Sequence, residues 1–247
     1  MPNILSLLIS RAACRTIRYW ERVNAFSTAF TRGVPHGVIA AIHLPEPFGE
    51  IPSAVLHRLH ADERDYAAQL DGHRKVQWIG GRLAAHHAVR ALGKDMGALL
   101  SDAQGAPIPP KGLEISISHK AELAVAIASK NGHGTIGIDL EILGRDRRHI
   151  AEKILRPEEL EIVSNLPDEH QWGATLIRFA VKEATYKALA PRLNRYIAFQ
   201  EASIGVIKDG TAHMNLHLET TDGPKSIEAR YEWMPEGLIA TVRARWA

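Results

Sequence analysis

The chain has 247 residues, 30 of them basic and 28 acidic, and its formal net charge is +2. This length is enough to bury an apolar core in one large domain or two smaller ones, and the balanced charge argues against nucleic-acid binding through bulk electrostatics. The one cysteine, Cys14, has no partner for an internal disulfide, which favours a reducing, cytoplasmic location. No apolar run approaches the roughly 20 residues that a membrane-spanning helix needs.

The N-terminal half is predicted to combine strands and helices. Residues 37–44 form a hydrophobic strand, and residues 54–70 form a helix that follows Ser53 as its N-cap. A second helix covers about 74–92, where apolar residues recur on one face. Glycines and prolines keep residues 94–111 from forming a long regular element.

Strands dominate the middle of the chain. Residues 113–119 alternate apolar and polar side chains, and residues 122–129 form a more buried strand. A turn at 131–134 then leads into a third strand over 135–143. This pattern predicts a hairpin-like unit.

Two helices and a run of strands make up the remainder. The helices cover about 158–166 and 172–193, with a break at Pro167 between them. Turns are indicated at Asp209-Gly210 and at Asp222-Gly223-Pro224. The strands are predicted over 202–210, 212–220, 226–234 and 238–246. Helices and antiparallel strands in both halves predict an α+β fold, although no sequence repeat is apparent.

Asp139 and Glu141 are the first candidate site residues. The alternation of a strand places both carboxylates on one face, where they repel each other. A hard divalent cation such as Mg²⁺ relieves that repulsion and leaves positions for phosphate oxygens. An ordinary, half-exposed strand end is the alternative.

Two further groups carry charges suited to an anion. Lys182, Glu183 and Lys187 lie on the long predicted helix, where Glu183 and Lys187 are surface neighbours and a stabilising ion pair is the alternative. The run 118–120, Ser-His-Lys, offers hydrogen-bond donors at the end of a strand, and a polar turn explains it equally well.

Basic residues also gather on the second predicted helix. Arg74 and Lys75 begin it, and Arg82 follows Arg74 by just over two turns, which predicts that the two arginines lie near one face. Surface arginines that extend into solvent are the alternative.

Four segments, taken together and in order, resemble the signature series of the 4′-phosphopantetheinyl transferases. They are residues 105–107, 115–120, 136–141 and 179–189. The most specific are Gly-Ile-Asp-Leu-Glu and Lys-Glu-Ala-x-Tyr-Lys, about 40 residues apart as in that family. The chain length resembles the single-chain group that includes the surfactin-type and enterobactin-type enzymes, and the basic helix favours the enterobactin-type branch.

The resemblance implies a fold and a reaction. The fold is an α+β pseudodimer of two similar halves, residues 1–135 and 136–247, with the active site in the cleft between them and no need for a partner subunit. The reaction moves 4′-phosphopantetheine from coenzyme A to a serine of an acyl or peptidyl carrier protein and releases 3′,5′-ADP, in fatty-acid, polyketide, nonribosomal peptide or siderophore biosynthesis. A non-catalytic module that binds coenzyme A or the carrier protein is the alternative, and a Mg²⁺-dependent phosphohydrolase would need more carboxylates at one site.

The resemblance also implies roles for single residues. Mg²⁺, or Mn²⁺ in its place, is held by the carboxylates of Asp139 and Glu141 with the backbone carbonyl of Leu140. Glu183 takes the proton from the carrier serine, and Lys187 neutralises charge on the leaving group, with Lys182 as a weaker candidate. The residues implied to contact coenzyme A are Arg74, Arg82, Ser101, Asp102, Ala103, Gln104, Ser118, His119, Asp139, Glu183 and Lys187.

One loop departs from the family pattern, and two docking surfaces are open for the carrier protein. The turn that often carries a lysine in this family has none here, so backbone and small polar groups of residues 101–104 have to serve. The carrier protein is expected to dock either on the arginines at 145, 147 and 148 or in an apolar groove between the halves.

Overall fold

The structure is a computed structural model that describes residues 25–45, 50–219 and 223–246. The expectations that concern Cys14 and the turn residue Asp222 lie outside these ranges. Within them, no helix is both long enough and apolar enough to span a membrane.

The first half is built on a four-stranded antiparallel sheet. Its strands, in the spatial order β1-β2-β4-β3, are β1 (Thr28–Val34), β2 (Gly37–His43), β4 (Leu123–Lys130) and β3 (Leu113–Lys120). Three helices connect β2 to β3, namely α1 (Ser53–Leu56), α2 (Ala61–Ala68) and α3 (Gly72–Ala91). The apolar face of α3, with Ile79 and Leu83 at its centre, packs against one face of this sheet and forms the first core.

The second half repeats this architecture with a five-stranded sheet. Its strands, in the spatial order β5-β9-β8-β7-β6, are β5 (Thr135–Glu141), β9 (Gly237–Arg245), β8 (Ser226–Met234), β7 (Thr211–Leu216) and β6 (Ala202–Lys208). The helices between β5 and β6 are α4 (Ala151–Ile154), α5 (Pro157–Ser164) and α6 (Asp168–Leu193), with single 3₁₀ turns at Arg148–Ile150 and Phe199–Glu201. The helix α6 covers this sheet as α3 covers the first.

The two sheets meet through a third apolar core and through two serines. Buried residues such as Ile127 of the first sheet and Ile138 of the second pack together between them. At the edge of β5, the N–H of Ile138 donates to Oγ of Ser116 at 3.1 Å and that of Leu140 donates to Oγ of Ser118 at 3.3 Å. The serines of β3 therefore satisfy edge amides that no strand pairs, and they bring the ends of β3 and β5 side by side.

The two halves share a buried glutamate in the same place. Glu63 of α2 accepts hydrogen bonds from His86 of α3, and Glu159 of α5 accepts one from Lys182 of α6, and the partners are 23 positions apart in each case. Each glutamate also accepts a backbone N–H from its own N-cap residue and one from a later segment of its half. The predicted α+β fold of two similar halves is confirmed, and the repeat is one of contacts rather than of sequence.

Several predicted boundaries shift in the structure. The helix predicted over 54–70 is two helices, because His60 accepts a hydrogen bond from Asp62 N–H and so caps a new helix at Ala61. The long helix begins at Asp168, directly after Pro167, rather than at 172. The turn at Asp209-Gly210 is confirmed, since both residues have a positive φ, 49° and 75°.

Candidate active site

Lys187 links the two halves at the centre of the site. Its Nζ donates to Oδ1 of Asp139 at 2.7 Å, to Oγ of Ser118 at 2.9 Å and to the backbone carbonyl of Ile138 at 3.0 Å. The Ser118 hydroxyl in turn donates to the same Asp139 oxygen at 2.9 Å. Three elements, β3, β5 and α6, therefore converge on one carboxylate. Lys187 has Asp139 as its ion-pair partner in the described part of the chain, so the predicted alternative of a surface pair with Glu183 is wrong.

Gly137 allows α6 to come close enough for this contact. A Cβ at Gly137 would lie 1.9 Å from the carbonyl oxygen of Ala184 and 2.8 Å from the nitrogen of Ala188. Any side chain would push the helix away from β5. The glycine of the Gly-Ile-Asp-Leu-Glu segment thus sets the distance between the carboxylates of β5 and the side chains of α6.

Glu141 is held by a second lysine. Lys120 Nζ lies 2.9 Å from Oε1 and 2.8 Å from Oε2 of Glu141. Burial raises the pKa of Glu141, although the Lys120 ammonium opposes this rise. The end of β5 therefore presents two carboxylates, each paired with a lysine from another element.

Glu183 is the third carboxylate near this point. Burial raises its pKa, and the negative charges of Asp139 and Glu141 raise it further, while Lys187 opposes them. The negative charges of both predicted metal ligands therefore act on the Glu183 carboxylate. A carboxylate with a raised pKa is a stronger base when it is ionised, which suits proton abstraction.

The residues at the end of β5 fit a divalent cation. Oδ2 of Asp139 is buried and has no hydrogen-bond partner among the described residues, so one oxygen of this carboxylate is left to bind a ligand. The backbone of Leu140 points its N–H to Ser118 at the free edge, and its carbonyl points to the same side. Oxygen donors of this kind suit Mg²⁺ or Mn²⁺. Among the described residues, no three His, Cys, Asp or Glu side chains form a group that could hold a metal, and lysines contact the other carboxylate oxygens of Asp139 and Glu141.

His119 lies on β3 between Ser118, which contacts Asp139, and Lys120, which contacts Glu141. Partial burial lowers its pKa, and the ammonium of Lys187 lowers it further. The ring is therefore neutral near pH 7 and can donate one hydrogen bond and accept another. This suits a contact to a phosphate or ribose oxygen without adding charge.

Arg82 supports a loop instead of lying beside Arg74 on one exposed face. Its guanidinium donates to the carbonyl of Leu99 at 2.8 Å and to Oγ of Ser101 at 2.6 Å, and it stacks on the ring of Trp78 at 4.3 Å. Arg82 is 4% exposed, whereas Arg74 is exposed. Eight residues rotate a helix by about 80° beyond two turns, which is enough to separate a buried position from a solvated one.

The lysine-free loop is ordered by its own polar groups. Oδ1 of Asp102 accepts the N–H groups of Gln104 and Ala106, both at 2.9 Å, and Ser101 forms an isolated bridge with Pro107. The tip of the loop, including Ala103, is exposed. Its exposed residues include Asp102, Ala103 and Gln104, and the contact of this loop with coenzyme A stays a prediction.

Lys182 does not contribute to the site, so that prediction is wrong. Its ammonium is buried and donates to Oε2 of Glu159 at 2.6 Å and to the carbonyls of Ile154 and Phe199. The i, i+1 step from Lys182 to Glu183 turns the two side chains to different faces of α6. Lys182 holds the second half together while Glu183 faces the cleft.

Lys120 is the site residue that the family motifs did not single out. The sequence placed it with Ser118 and His119 in a cluster of donors suited to an anion, but the family resemblance gave it no role of its own. The signal was present, because alternation along β3 puts Ser116, Ser118 and Lys120 on one face. What the sequence could not show is that this face meets β5.

Comparison with known proteins places the chain in a family. Residues 135–242 match the model of the 4′-phosphopantetheinyl transferase superfamily, and residues 62–129 match that of the 4′-phosphopantetheinyl transferase N-terminal domain. The chain is 33% identical to the 4′-phosphopantetheinyl transferase Npt of Nocardia iowensis, over 63% of this chain and 70% of the relative.

Two other relatives match over more of the chain. Enterobactin synthase component D of Salmonella typhi is 29% identical, over 79% of this chain and 86% of its own. The 4′-phosphopantetheinyl transferase PptT of Mycobacterium tuberculosis is 27% identical, over 73% of this chain and 83% of its own. The matched ranges include β3, β5 and α6, which carry the site, and the chain therefore belongs to the 4′-phosphopantetheinyl transferase family of enzymes.

Proposed function

We propose that this enzyme transfers the 4′-phosphopantetheine group of coenzyme A to a serine hydroxyl of an acyl or peptidyl carrier protein and releases 3′,5′-ADP. The observation that carries the proposal is the convergence of Ser118, Asp139 and Lys187 from three elements, with the charges of Glu141 and Glu183 beside them. Breaking a pyrophosphate needs positioning and neutralised charge more than covalent catalysis. The site combines both.

Asp139, Glu141 and the carbonyl of Leu140 would hold Mg²⁺, with Mn²⁺ as a substitute. Oδ2 of Asp139, which has no hydrogen-bond partner among the described residues, supports this choice of ligands. A bound divalent ion would neutralise the pyrophosphate and make 3′,5′-ADP a better leaving group.

Glu183 acts as the general base. Its carboxylate takes the proton of the carrier serine hydroxyl as that oxygen attacks the phosphorus, and the raised pKa makes the carboxylate a better acceptor. Lys187 holds Asp139 in place and adds a positive charge where the leaving group departs.

Beside Asp139, Glu183 and Lys187 of the second half, the first half supplies further contacts to coenzyme A. Arg74 is exposed at the start of α3, and the neutral ring of His119 is available at the end of β3. Arg82 acts by holding Ser101 and the loop 101–104 in place, so these residues meet the coenzyme through small groups and backbone. Since both halves of the site lie in one chain, we propose that the enzyme works as a monomer. The single cysteine of the sequence supports a cytoplasmic location.

The exchange Glu183→Gln tests the base. It keeps the size of the side chain and removes the proton acceptor, so we expect transfer to fall by at least about 100-fold while coenzyme A binding changes little. Transfer is measured by intact-mass spectrometry of an apo carrier protein, and binding by calorimetry.

Glu169→Gln is the matched control, because Glu169 is exposed in the first turn of the same helix. It should leave both transfer and binding unchanged. Turnover by Glu183→Gln close to that of the unmodified enzyme would refute the assignment of the base.

A further inference from the structure

The ammonium of Lys120 contacts both carboxylate oxygens of Glu141. It is the last residue of β3, Glu141 is the last residue of β5, and the ammonium lies within hydrogen-bond distance of Oε1 and Oε2, at 2.9 Å and 2.8 Å. The reaction as proposed above gives Lys120 no task. The placement of a cation on a predicted metal ligand needs an explanation.

The two lysines of the site hold their carboxylates differently. Lys187 takes only Oδ1 of Asp139, and Oδ2 is left without a hydrogen-bond partner among the described residues. Asp139 can therefore ligate a divalent ion while Lys187 keeps its contact. A divalent ion on Glu141 would lie directly beside the Lys120 ammonium, and the two positive charges would repel each other, so metal binding favours the release of Lys120 from this carboxylate.

Lys120 can make this exchange. Its side chain is 38% exposed, against 10% for that of Glu141, so the ammonium can leave the carboxylate and stay hydrated. A lysine carries its charge on a flexible four-carbon stem and can follow a nearby anion. The anion of the proposed reaction is the pyrophosphate of coenzyme A, and the loop 101–107 offers it no lysine.

We propose that Lys120 is a positioning residue that changes partners, from Glu141 in the free enzyme to a phosphate oxygen of coenzyme A once Glu141 ligates the divalent ion. This inference rests on the proposed function. Each ligand helps the other to bind, because the metal frees Lys120 for the phosphate and the phosphate draws Lys120 away from Glu141. Reciprocal tightening of this kind is a coupling free energy between two sites.

Calorimetric titration of Mn²⁺ into the enzyme, with and without saturating coenzyme A, measures the coupling. Binding of Mn²⁺ to free coenzyme A is titrated separately and subtracted. Without coenzyme A, we expect Lys120→Met to bind Mn²⁺ about three- to ten-fold more tightly, because the internal competitor is gone. The factor by which coenzyme A tightens Mn²⁺ binding should fall by a similar amount, within the usual range of such couplings.

Lys130→Met is the matched control, since Lys130 is an exposed lysine at the end of β4 that is remote in sequence and register from Lys120. It should behave as the unmodified enzyme. If Lys120→Met tightens Mn²⁺ binding but keeps the full coupling factor, the effect is only that of a lost positive charge, and the exchange of partners is wrong. An unchanged Mn²⁺ affinity overturns it as well.

Asp139→Asn separates this inference from the proposed function. If it abolishes Mn²⁺ binding while Lys120→Met has no effect, the metal site stands and the exchange of partners fails. If Asp139→Asn leaves Mn²⁺ binding intact, the metal site is not at β5. The exchange of partners and the proposed metal ligands are then both overturned.

Discussion

Lys187 and Lys120 each neutralise one carboxylate of the site, that of Asp139 and that of Glu141 respectively. Each lysine comes from an element that does not carry its carboxylate, so the ion pairs also hold elements together. In both pairs the carboxylate is the more buried partner, and both pairs are accessible at the lysine end. Such pairs can be opened by a ligand without exposing the apolar core.

His36 is another residue whose charge matters, this time for stability. It lies in the turn between β1 and β2, is fully buried, and has Nδ1 3.0 Å from Oγ1 of Thr241. Burial lowers the pKa of His36 to about 4, and the charge of Arg243 is the next largest cause. Glu228 opposes this shift, and Arg230 and Arg245 make smaller contributions that lower the pKa.

The histidine should make the protein acid-sensitive. In the unfolded chain the pKa is near 6.5, so between about pH 6.5 and pH 4 the unfolded state binds a proton that the folded state does not. The free energy of unfolding therefore falls as the pH falls through this window, by up to about 3 kcal/mol from this residue.

Urea unfolding at several pH values, with His36→Asn beside the unmodified protein, measures this contribution. The variant should be less stable at pH 8 but should lose less stability on acidification. His133→Asn, at an exposed turn position, should keep the full acid sensitivity. Parallel pH profiles for His36→Asn and the unmodified protein would contradict the role of His36.

In each half, a buried glutamate pairs with a residue of the long helix. The two halves differ at the residue that follows this partner along the helix. Glu63 pairs with His86, and Glu159 pairs with Lys182. The following residue on the long helix is His87 in α3 and Glu183 in α6. The repeated arrangement therefore places the proposed general base in one half only.

Glu159→Gln should destabilise the second half strongly. Both side chains of the pair are about 1% exposed, so the exchange leaves the Lys182 ammonium buried without its counter-charge. We expect a loss of about 3–5 kcal/mol in the free energy of unfolding, measured in urea. Glu161→Gln, exposed on the same helix α5, should cost little. The double variant with Lys182→Met should cost less than the sum of the two single changes, and a cost below about 1 kcal/mol for Glu159→Gln would count against the pair.

Gly137→Ala tests the close approach of α6 to β5. The added Cβ would meet the backbone of Ala184, so the helix must shift. We expect a loss of about 1–3 kcal/mol in unfolding free energy and, because Glu183 and Lys187 move from Asp139, a drop in transfer larger than the fraction unfolded explains. Gly173→Ala on the same helix, where nothing lies within 4 Å of the new Cβ, is the control and should keep both. Unaltered transfer by Gly137→Ala would show that this distance is not needed.

The sequence predicted relations within a single helix or strand, but it did not show which elements lie side by side. Period-two alternation correctly placed Asp139 with Glu141, because that pattern depends on a single strand. It could not show that β3 lies beside β5, since these strands belong to different sheets and are joined by serine side chains instead of a backbone ladder. The burial of Arg82 and Lys182 was missed for the same reason, because their partners lie on other elements.

At the scale of the whole molecule, two similar halves create one site. Their sheets pack against each other through a continuous apolar core around Ile127 and Ile138, and the charged groups lie where β3 and β5 end. The division of the chain into residues 1–135 and 136–247 stays a prediction. With a net charge of +2, the local grouping of lysines and carboxylates, more than any large surface field, equips the site for a pyrophosphate.

Intact-mass spectrometry of a carrier protein decides whether the enzyme transfers phosphopantetheine. The enzyme is mixed with coenzyme A, Mg²⁺ and apo carrier proteins from fatty-acid, polyketide and nonribosomal peptide pathways, and a parallel sample contains a chelator in place of the metal. We predict that at least one carrier gains the mass of one phosphopantetheine group on its serine, and that the chelator prevents the gain. If coenzyme A binds but no carrier gains that mass, the transferase account of the site is contradicted.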